Sequence, residues 1–265
     1  MSCITRSKLA LDSHQRKVVD FLDRNQVRGL VVVHTVGTGK TLTAVTVSQC
    51  FLDKNPTSNV IVITPASLKD NFKKELEQYG ADITDPRYHL YTIQGFASAY
   101  RNGRVPESMI RDCLLIVDEA HNLRTEATTD ETDISTNSKS VIKCAPLAKK
   151  VLLLTATPII NKPSEIVNLL SIVDGVPPLT LTQFKNMTHE DYEKYFRCKI
   201  SFYTLPESRR EAFYPSVEAK DIYIPMGASY YKLYKRIEQN PTTSEFAFYN
   251  GVRKGSNSLE GKNSA

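Results

Sequence analysis

A glycine-rich segment between a strand pattern and a helix pattern constrains the fold of this chain more than any other feature. The segment reads His34-Thr-Val-Gly-Thr-Gly-Lys-Thr41. It follows the apolar run Gly29 to Val33 and precedes a helical pattern over Thr41 to Leu52. A strand, a glycine loop and a helix in this order form the context of the phosphate-binding Walker A motif. The segment therefore predicts a P-loop α/β fold whose first loop binds phosphate groups.

The residues of this loop have separate chemical roles. Gly37 and Gly39 let the backbone turn so that its N–H groups point at phosphate oxygens. Lys40 places an ammonium on the β and γ phosphates, and the hydroxyl of Thr41 holds Mg²⁺. The loop departs from the full motif at its first position, because His34 stands where that motif has Gly. The alternative interpretation is an ordinary glycine-rich turn with an incidental lysine.

Four further apolar runs, rich in β-branched residues, alternate with helix patterns. Continuous apolar runs are typical of strands covered on both faces, so they predict a mainly parallel sheet with helices on both sides. A crossover helix is predicted over Ser67 to Tyr79, with Ser67 as its N-cap. The four runs are Val60 to Ile63, His89 to Ile93, Cys113 to Val117 and Val151 to Leu154.

The remaining segments are more polar. Residues Asn122 to Lys143 contain few large apolar side chains and predict a mobile surface loop. Asp221 to Ile224 predicts a last strand, Ser229 to Gln239 predicts a helix, and Gly251 to Ala265 predicts a disordered tail. The division into domains is therefore predicted as a lobe over residues 1–225, followed by a linker helix and polar tail over 226–265.

Composition excludes several classes of protein. Apolar residues make up 41% and charged residues 24% of the chain, which is typical of a globular domain. No apolar stretch approaches a membrane span, and no signal-peptide pattern precedes Gln15, so we expect an intracellular protein with no membrane partner. The five cysteines form no metal-binding pattern, and their odd number favours reduced thiols over a disulfide framework. A net charge of +5 is compatible with a polyanionic partner without identifying one.

Two polar motifs follow buried runs and lie at predicted strand ends. Asp118 and Glu119 come directly after Val117, where open α/β sheets build ligand sites. Asp118 suits a contact to Mg²⁺, and Glu119 suits polarisation of an attacking water. Thr155-Ala-Thr157 follows Leu154, and its hydroxyls are placed to hydrogen-bond the side chain of His121. The alternatives are a solvated acidic loop and a packed strand-end histidine.

Taken in order, these motifs carry a resemblance. Gln15, GTGKT (37–41), TPASL (64–68), DEAH (118–121) and LLTATP (153–158) together resemble the first RecA-like lobe of superfamily 2 helicases and translocases. The stretch 153–175 resembles chromatin-remodelling ATPases, and it is equally similar to early-transcription and nucleoside triphosphatase proteins of poxviruses and other large DNA viruses. Residues 221–239 resemble the last strand of that lobe and the helix that leaves it.

The resemblance implies an ATPase that uses ATP and Mg²⁺. It implies that Gln15 reads the adenine base, although an exposed helix residue is the alternative at that position. It implies that Asp118 contacts the metal and that Glu119 is the catalytic carboxylate. The residues implied to bind phosphate and Mg²⁺ are Gly37, Thr38, Gly39, Lys40 and Thr41. The residues implied to transmit the nucleotide state are His121, Thr155 and Thr157.

Nucleic-acid contacts are implied at two strand ends. Thr64 to Ser67 matches the motif whose hydroxyls and N–H groups meet backbone phosphates. Thr92 and Gln94 occupy the position of a second contact. The alternative for both segments is an ordinary cap between a strand and a loop.

A complete motor of this class needs a second RecA-like lobe that supplies an arginine to the γ-phosphate. Its usual Gln-x-x-Gly-Arg-x-x-Arg element does not occur in these 265 residues. We therefore expect a second lobe, in the same longer chain or in another, as a partner. Because such an arginine contributes about 10³–10⁵ in rate, we expect weak hydrolysis from this chain alone. DNA is favoured over RNA as nucleic acid, and RNA polymerase or transcription machinery is a further candidate partner. The alternatives are a nucleotide-binding module of a transcription complex without turnover and an RNA helicase lobe.

Overall fold

The computed structural model describes residues 3, 8–24, 27–82, 84–123, 136–159 and 165–206, together with 227–229, 231, 232 and 235. Residues 1–210 form one compact unit and residues 211–265 a second. The described part of the first unit contains a six-stranded sheet in which every strand pair is parallel. Helices cover both faces, so the predicted fold class is confirmed.

The elements alternate between helix and strand along most of the chain. In chain order they are α1 (Ser13–Arg24), β1 (Gly29–His34), α2 (Lys40–Lys54), β2 (Asn59–Thr64), α3 (Lys69–Tyr79), β3 (Tyr88–Thr92), α4 (Ile93–Arg101), α5 (Glu107–Arg111), β4 (Cys113–Val117), α6 (Thr136–Cys144), β5 (Lys150–Thr155), α7 (Ile166–Asp174), α8 (Leu181–Lys185), α9 (His189–Phe196) and β6 (Ile200–Tyr203). The strand order across the sheet is β3-β2-β4-β5-β1-β6.

Each central strand contributes to two hydrophobic cores. In β1, Val31 and Val33 pack into the core that includes α4, α6 and α7, whereas Leu30 and Val32 pack into the core that includes α1, α2 and α3. Successive side chains of a strand point to opposite faces, so a strand covered on both sides needs apolar residues at every position. This is why the strands are visible in the sequence as continuous apolar runs.

The parallel arrangement brings the carboxyl ends of the strands to one edge of the sheet. Val33 in β1 pairs with Thr155 in β5, and Val117 in β4 pairs with Leu153 in β5. The loops after β1, β4 and β5 therefore begin side by side. The glycine loop, the acidic pair and the Thr-Ala-Thr triplet start at this common edge.

The first five strands match the predicted runs to within one or two residues, and two local predictions are wrong. Ile93 begins α4, where the sequence predicted the end of a strand. Ser67 is not a helix N-cap, because it lies inside a short 3₁₀ turn over Ala66–Leu68 and α3 begins at Lys69 without a side-chain cap. The Pro65 backbone favours this extra turn, since proline fixes the extended entry to it.

The polar segment 122–143 is not entirely a loop. Residues Thr136–Cys144 form α6, and the side chains of Val141 and Cys144 have no exposed surface. These two residues join the core that also includes α4, and the remaining positions of α6 are mostly polar. Such a sparse apolar stripe is too weak a signal to predict the helix. Residues 124–135 lie outside the described part of the chain.

The prediction of reduced cysteines is wrong for two of them. Cys3 and Cys50 form a disulfide, with Cα atoms 5.0 Å apart. Both sulfurs also lie near the carboxylate of Asp23. Because 47 residues separate the two cysteines, their pairing depends on tertiary packing and not on a local motif. The thiols of Cys113 and Cys144 are free and buried, and that of Cys198 is free and exposed.

The sixth strand was not predicted. β6 pairs with β1 at the edge of the sheet, and none of its residues is buried. The predicted strand at 221–224 and the predicted boundary at 225 fall on residues outside the described ones, and only scattered positions of the predicted helix over 229–239 are described. These remain predictions. Among the residues that the structure describes, no helix is long and apolar enough to cross a membrane.

Candidate nucleotide-binding site

The glycine loop connects β1 to α2 through two left-handed glycines. Gly37 has a φ of 77° and Gly39 a φ of 71°, values that other residues rarely adopt. A Cβ atom on Gly39 would also collide with the side-chain amide nitrogen of Gln15. Glycine at position 39 therefore permits both the turn and the close approach of α1.

Lys40 begins α2 and turns its ammonium back over the loop. Its Nζ donates hydrogen bonds to the carbonyl oxygens of His34 at 3.1 Å and Thr35 at 3.3 Å. Burial lowers the pKa of Lys40, and the nearby charges of Glu119 and Asp118 oppose that shift. The ammonium thus lies between the loop and the acidic turn, where a phosphate group would meet it.

Gln15 lies behind the loop and is bonded to it. Its amide nitrogen donates to the carbonyl oxygens of Thr38 at 3.0 Å and Gly39 at 3.2 Å. Its amide oxygen accepts from the backbone N–H of Asp12 at 2.8 Å. Gln15 is only 4% exposed, so the alternative interpretation as an exposed helix residue is wrong. Its adenine-reading role stays a prediction.

Asp118 lies at the end of β4 and is held by two donors. The Thr64 hydroxyl donates to one carboxylate oxygen at 3.3 Å, and the backbone N–H of Glu119 donates to the other at 3.0 Å. Burial and the charge of Glu119 raise the pKa of Asp118, while these two hydrogen bonds and Lys40 oppose the shift. A bound cation would favour the charged form of this carboxylate still further.

Glu119 is connected to the neighbouring strand end. Its backbone has a φ of 49°, a conformation that costs energy for a residue with a side chain. Its carboxylate lies 3.0 Å from Nδ1 of His121, and the same nitrogen lies 3.3 Å from the Thr155 hydroxyl. That hydroxyl accepts from the backbone N–H of Thr157 at 3.1 Å. The structure thus brings together the predicted acidic turn and the predicted triplet.

The loop and the acidic turn share one cleft of about 410 Å³. Its lining includes the ammonium of Lys40, the hydroxyl of Thr41 and the carboxylates of the acidic turn, and oxygen ligands of this kind suit a hard cation such as Mg²⁺. Thr41 and Asp118 are the residues that would hold it. The cleft is lined by Val36, Gly37, Gly39, Lys40, Thr41, Leu68, Asn71, Phe72, Glu75, Tyr79, Asp118 and Glu119.

The residues predicted to contact nucleic acid fall into two groups. Ser67 and Gln94 are exposed. They follow the paired strands β2 and β3, whose last residues, Thr64 and Thr92, lie opposite each other. The sequence predicted a phosphate contact for the Thr64 hydroxyl. This prediction is wrong, because the Thr64 side chain has no exposed surface and its hydroxyl is bonded to Asp118. The hydroxyl of Thr92 accepts from the Gly95 N–H and caps α4. The alternative interpretation, an ordinary cap at the end of the strand, therefore fits Thr92, although a helix and not a loop follows.

Three residues beside the loop had no predicted role. They are His14 in α1 and Ser201 and Tyr203 in β6. One indication of them was visible in the sequence, because histidine and not glycine stands at position 34, the first position of the motif. Nε2 of His34 lies 3.0 Å from the Ser201 hydroxyl. Burial, with the nearby groups of His14 and Lys40, lowers the pKa of His34 to about 4. His34 is therefore uncharged at neutral pH.

The fold and the cleft define a class of protein. A parallel sheet with a glycine loop after β1, an acidic turn after β4 and a hydroxyl triplet after β5 is a RecA-like lobe of the superfamily 2 helicases and translocases. Residues 8–160 match the family described as "Type III restriction enzyme, res subunit", and the chain belongs to that family. It is a helicase-like ATPase domain of superfamily 2 type.

Individual relatives agree with this class. The chain is 31% identical to a "Putative ATP-dependent RNA helicase" of Acanthamoeba polyphaga mimivirus, over 63% of this chain and 33% of the relative. It is 32% identical to the "Termination factor NPH-I homolog" of African swine fever virus, over 56% of this chain and 22% of the relative. The chain thus spans about a third or less of these relatives.

A solved structure is similar in fold. The "Sulfolobus solfataricus SWI2/SNF2 ATPase core in complex with dsDNA" superposes with a TM-score of 0.56 and 19% sequence identity. The superposition covers 97% of this chain and 61% of that one. The RecA-like fold predicted from the ordered motifs is therefore confirmed.

Proposed function

We propose that this chain is the ATP-binding lobe of a nucleic-acid-dependent ATPase of helicase or translocase type. One observation carries the proposal: the loop lysine, the helix-start hydroxyl and both carboxylates line the same cleft. These residues are Lys40, Thr41, Asp118 and Glu119. Charge-neutralising and proton-accepting groups therefore lie together at the carboxyl edge of a parallel sheet, where such sites are built.

The arrangement supports an in-line attack of water on the γ-phosphate. Glu119 accepts the proton of the attacking water, and His121 orients the Glu119 carboxylate from 3.0 Å. Lys40 neutralises charge on the β and γ oxygens. Mg²⁺, when bound by Thr41 and Asp118, supplies further neutralisation of the phosphate charge. The carbonyl groups of Thr38 and Gly39 are bonded to side chains of α1, and we propose that nearby N–H groups of the loop bind phosphate.

Hydrolysis by residues 1–265 alone is proposed to be slow. Charge that builds on the γ-phosphate meets Lys40 on one side, and the sequence offers no arginine element of the kind that a second lobe supplies. We therefore propose a second RecA-like lobe as the partner that completes the site.

DNA is the favoured nucleic acid. The stretch 153–175 resembles chromatin-remodelling ATPases, and the African swine fever virus relative is named for transcription termination. This supports a role in viral transcription, with polymerase or its associated machinery as a partner. The name of the mimivirus relative supports an RNA helicase lobe as the second candidate. Ser67 and Gln94 are the proposed exposed contacts to either nucleic acid.

The nucleotide site is tested by titrating a fluorescent ATP analogue with Mg²⁺ into residues 1–265. Lys40→Ala should weaken binding at least about tenfold, because a charge-assisted contact to phosphate is lost. Lys54→Ala is the matched control, since Lys54 lies at the other end of α2 and pairs with Asp23. If both variants bind as tightly as the unmodified chain, the assignment of the loop is wrong.

The nucleic-acid dependence is tested by phosphate release at saturating ATP, with duplex DNA, single-stranded DNA or RNA added, in the presence of a second lobe. Stimulation by DNA supports the proposal. Stimulation by RNA alone favours the RNA helicase lobe. Tight binding of ATP without any turnover under these conditions favours a nucleotide-binding module.

A further inference from the structure

His34 occupies the first position of the phosphate loop, where the full motif has glycine, and its ring is fully buried. Nε2 lies 3.0 Å from the Ser201 hydroxyl, and no hydrogen-bond partner for Nδ1 occurs among the described residues. The ring meets two other rings edge-on, His14 at 5.3 Å and Tyr203 at 5.8 Å between centroids. A side chain therefore fills space that a glycine would leave open, and it forms the base of an aromatic cluster.

The other two rings of this cluster are stacked. The centroids of His14 and Tyr203 are 3.8 Å apart, and the ring planes are parallel to within 1°. His14 belongs to α1, whereas Tyr203 ends β6 and pairs in register with His34. The cluster thus joins the helix in front of the loop to the strand at the edge of the sheet.

His14 also forms a hydrogen bond with the backbone of the loop. Its Nε2 lies 2.9 Å from the carbonyl oxygen of Thr38, and a carbonyl can only accept, so this nitrogen carries a proton. The same carbonyl accepts from Gln15. Two donors from α1 therefore fix the orientation of one loop peptide. Because the C=O and N–H of one trans peptide group point in opposite directions, a Thr38 carbonyl held by α1 turns the Gly39 N–H away from α1 and leaves it available to a phosphate oxygen.

β6 also holds the entry to the loop. The backbone N–H of Thr35 donates to the Tyr203 carbonyl at 3.1 Å, and the Thr35 hydroxyl accepts from the Leu205 N–H at 3.1 Å. The Thr38 hydroxyl donates to the Thr35 carbonyl at 2.7 Å. The loop is thus attached to β6 at its start and, through His14, near its apex.

From these contacts we propose that His14 and Tyr203, packed on His34, are positioning residues that hold the phosphate loop in its nucleotide-binding shape. The proposal rests on the proposed function of the loop as a nucleotide site. It assigns a role to an edge strand about 165 residues away in the chain, and it explains why histidine at position 34 is compatible with a working loop.

The test compares Tyr203→Leu with Tyr203→Phe in the titration with fluorescent ATP analogue and Mg²⁺. Tyr203→Leu removes the stacked ring and should weaken binding about three- to tenfold, whereas Tyr203→Phe keeps the ring and should stay within about twofold. Phe202→Leu is the matched control, because it makes the same ring deletion one residue away at a side chain that is 73% exposed. A further variant, His34→Gly, installs the glycine of the full motif and should weaken binding.

The outcomes separate this inference from the proposed function. If the unmodified chain binds nucleotide, Lys40→Ala does not, and Tyr203→Leu binds within about twofold, the nucleotide site stands and the positioning role is overturned. If the unmodified chain does not bind, the proposed function fails first. Should Tyr203→Leu not fold, His14→Phe decides, because it keeps a ring in the stack and removes the bond to Thr38: weaker binding supports the inference, and unchanged binding overturns it.

Discussion

The two halves of the nucleotide cleft are held in different ways. The phosphate loop is fixed from behind by the amide and ring side chains of α1 and by the edge strand β6. The acidic turn is fixed by contacts among carboxylate, imidazole and hydroxyl groups, since Asp118 accepts from Thr64 and Glu119 lies beside His121. From this difference we expect that, if the proposed function holds, nucleotide binding depends mainly on the contacts of the loop and hydrolysis mainly on those of the acidic turn. Variants in one half should therefore change one property and leave the other.

The largest difference between the effect on hydrolysis and the effect on ATP binding is expected from Glu119→Gln. The amide still fits the turn but accepts no proton from water, so hydrolysis should fall by about 10²–10⁴-fold while ATP affinity stays within about twofold. Phosphate release in the presence of a second lobe, together with the binding titration, measures both quantities. Glu107→Gln, at an exposed position in α5, is the control. Retained hydrolysis would move the proton-accepting role to another residue.

The loop half should show a dependence on pH that comes from a buried histidine. The folded-state pKa of His34 is about 4, below its ordinary value of 6.5, so the unfolded chain binds a proton in that interval and the folded chain does not. The contribution of His34 to the free energy of unfolding should be fully present above pH 6.5. It should decrease by up to about 3 kcal/mol as the pH falls to 4. Denaturant unfolding at several pH values measures this.

The comparison variant for this pH dependence is His34→Leu, which should flatten the profile between pH 6.5 and 4. His189→Leu removes a histidine that is exposed in α9 and should leave the profile unchanged. An equally steep profile in His34→Leu would assign the loss to other groups, among which His89 also has a pKa lowered by burial.

Two left-handed glycines test how closely α1 and the loop approach each other. Gly39→Ala and Gly103→Ala have φ values of 71° and 70°, so both should lose about 1 kcal/mol through backbone strain. A Cβ at Gly103 meets nothing within 4 Å. A Cβ at Gly39 displaces the Gln15 amide and breaks its hydrogen bonds, which should lower the free energy of unfolding by about 1 kcal/mol more. Only Gly39→Ala should weaken nucleotide binding. Equal affinities in the two variants would contradict the close approach.

The smallest effect is expected at the strand end behind the acidic turn. Thr155→Val removes the hydroxyl beside His121 and should reduce the free energy of unfolding by about 1 kcal/mol. Thr46→Val removes a similarly buried hydroxyl from α2, bonded to the Leu42 carbonyl, and should cost a similar amount. Hydrolysis should fall in Thr155→Val and not in Thr46→Val. The same rate in both would mean that the contact with His121 is only structural.

The sequence predicted the parts of this fold whose signals are local. Strands buried on both faces are continuous apolar runs, and the glycine loop has fixed spacing, so β1 to β5 and the loop could be located. The edge strand β6 could not, because it is half-exposed and its pairing with β1 joins residues that are distant in the chain. Likewise, α6 is attached by few apolar side chains, and the Cys3 to Cys50 disulfide depends on how α2 packs.

The candidate site shows the same division. Lys40, Asp118 and Glu119 occur in motifs, and the sequence predicted that they would share one edge. Tyr203 and His14 were not singled out from the sequence, and only tertiary contacts, their packing against His34 and their bonds to the loop backbone, place them beside the loop. The unusual residue at position 34 was visible in the sequence, but its partners were defined by the order of strands in the sheet.

That order also sets a length within the site. β5 lies between β1 and β4, so the start of the phosphate loop and the start of the acidic turn are two strand spacings apart, about 10 Å. Backbone hydrogen bonds of the sheet, not side chains, maintain this span. The sheet therefore sets the distance between the two loop starts, and the side chains behind each loop set the conformation of that loop within this distance.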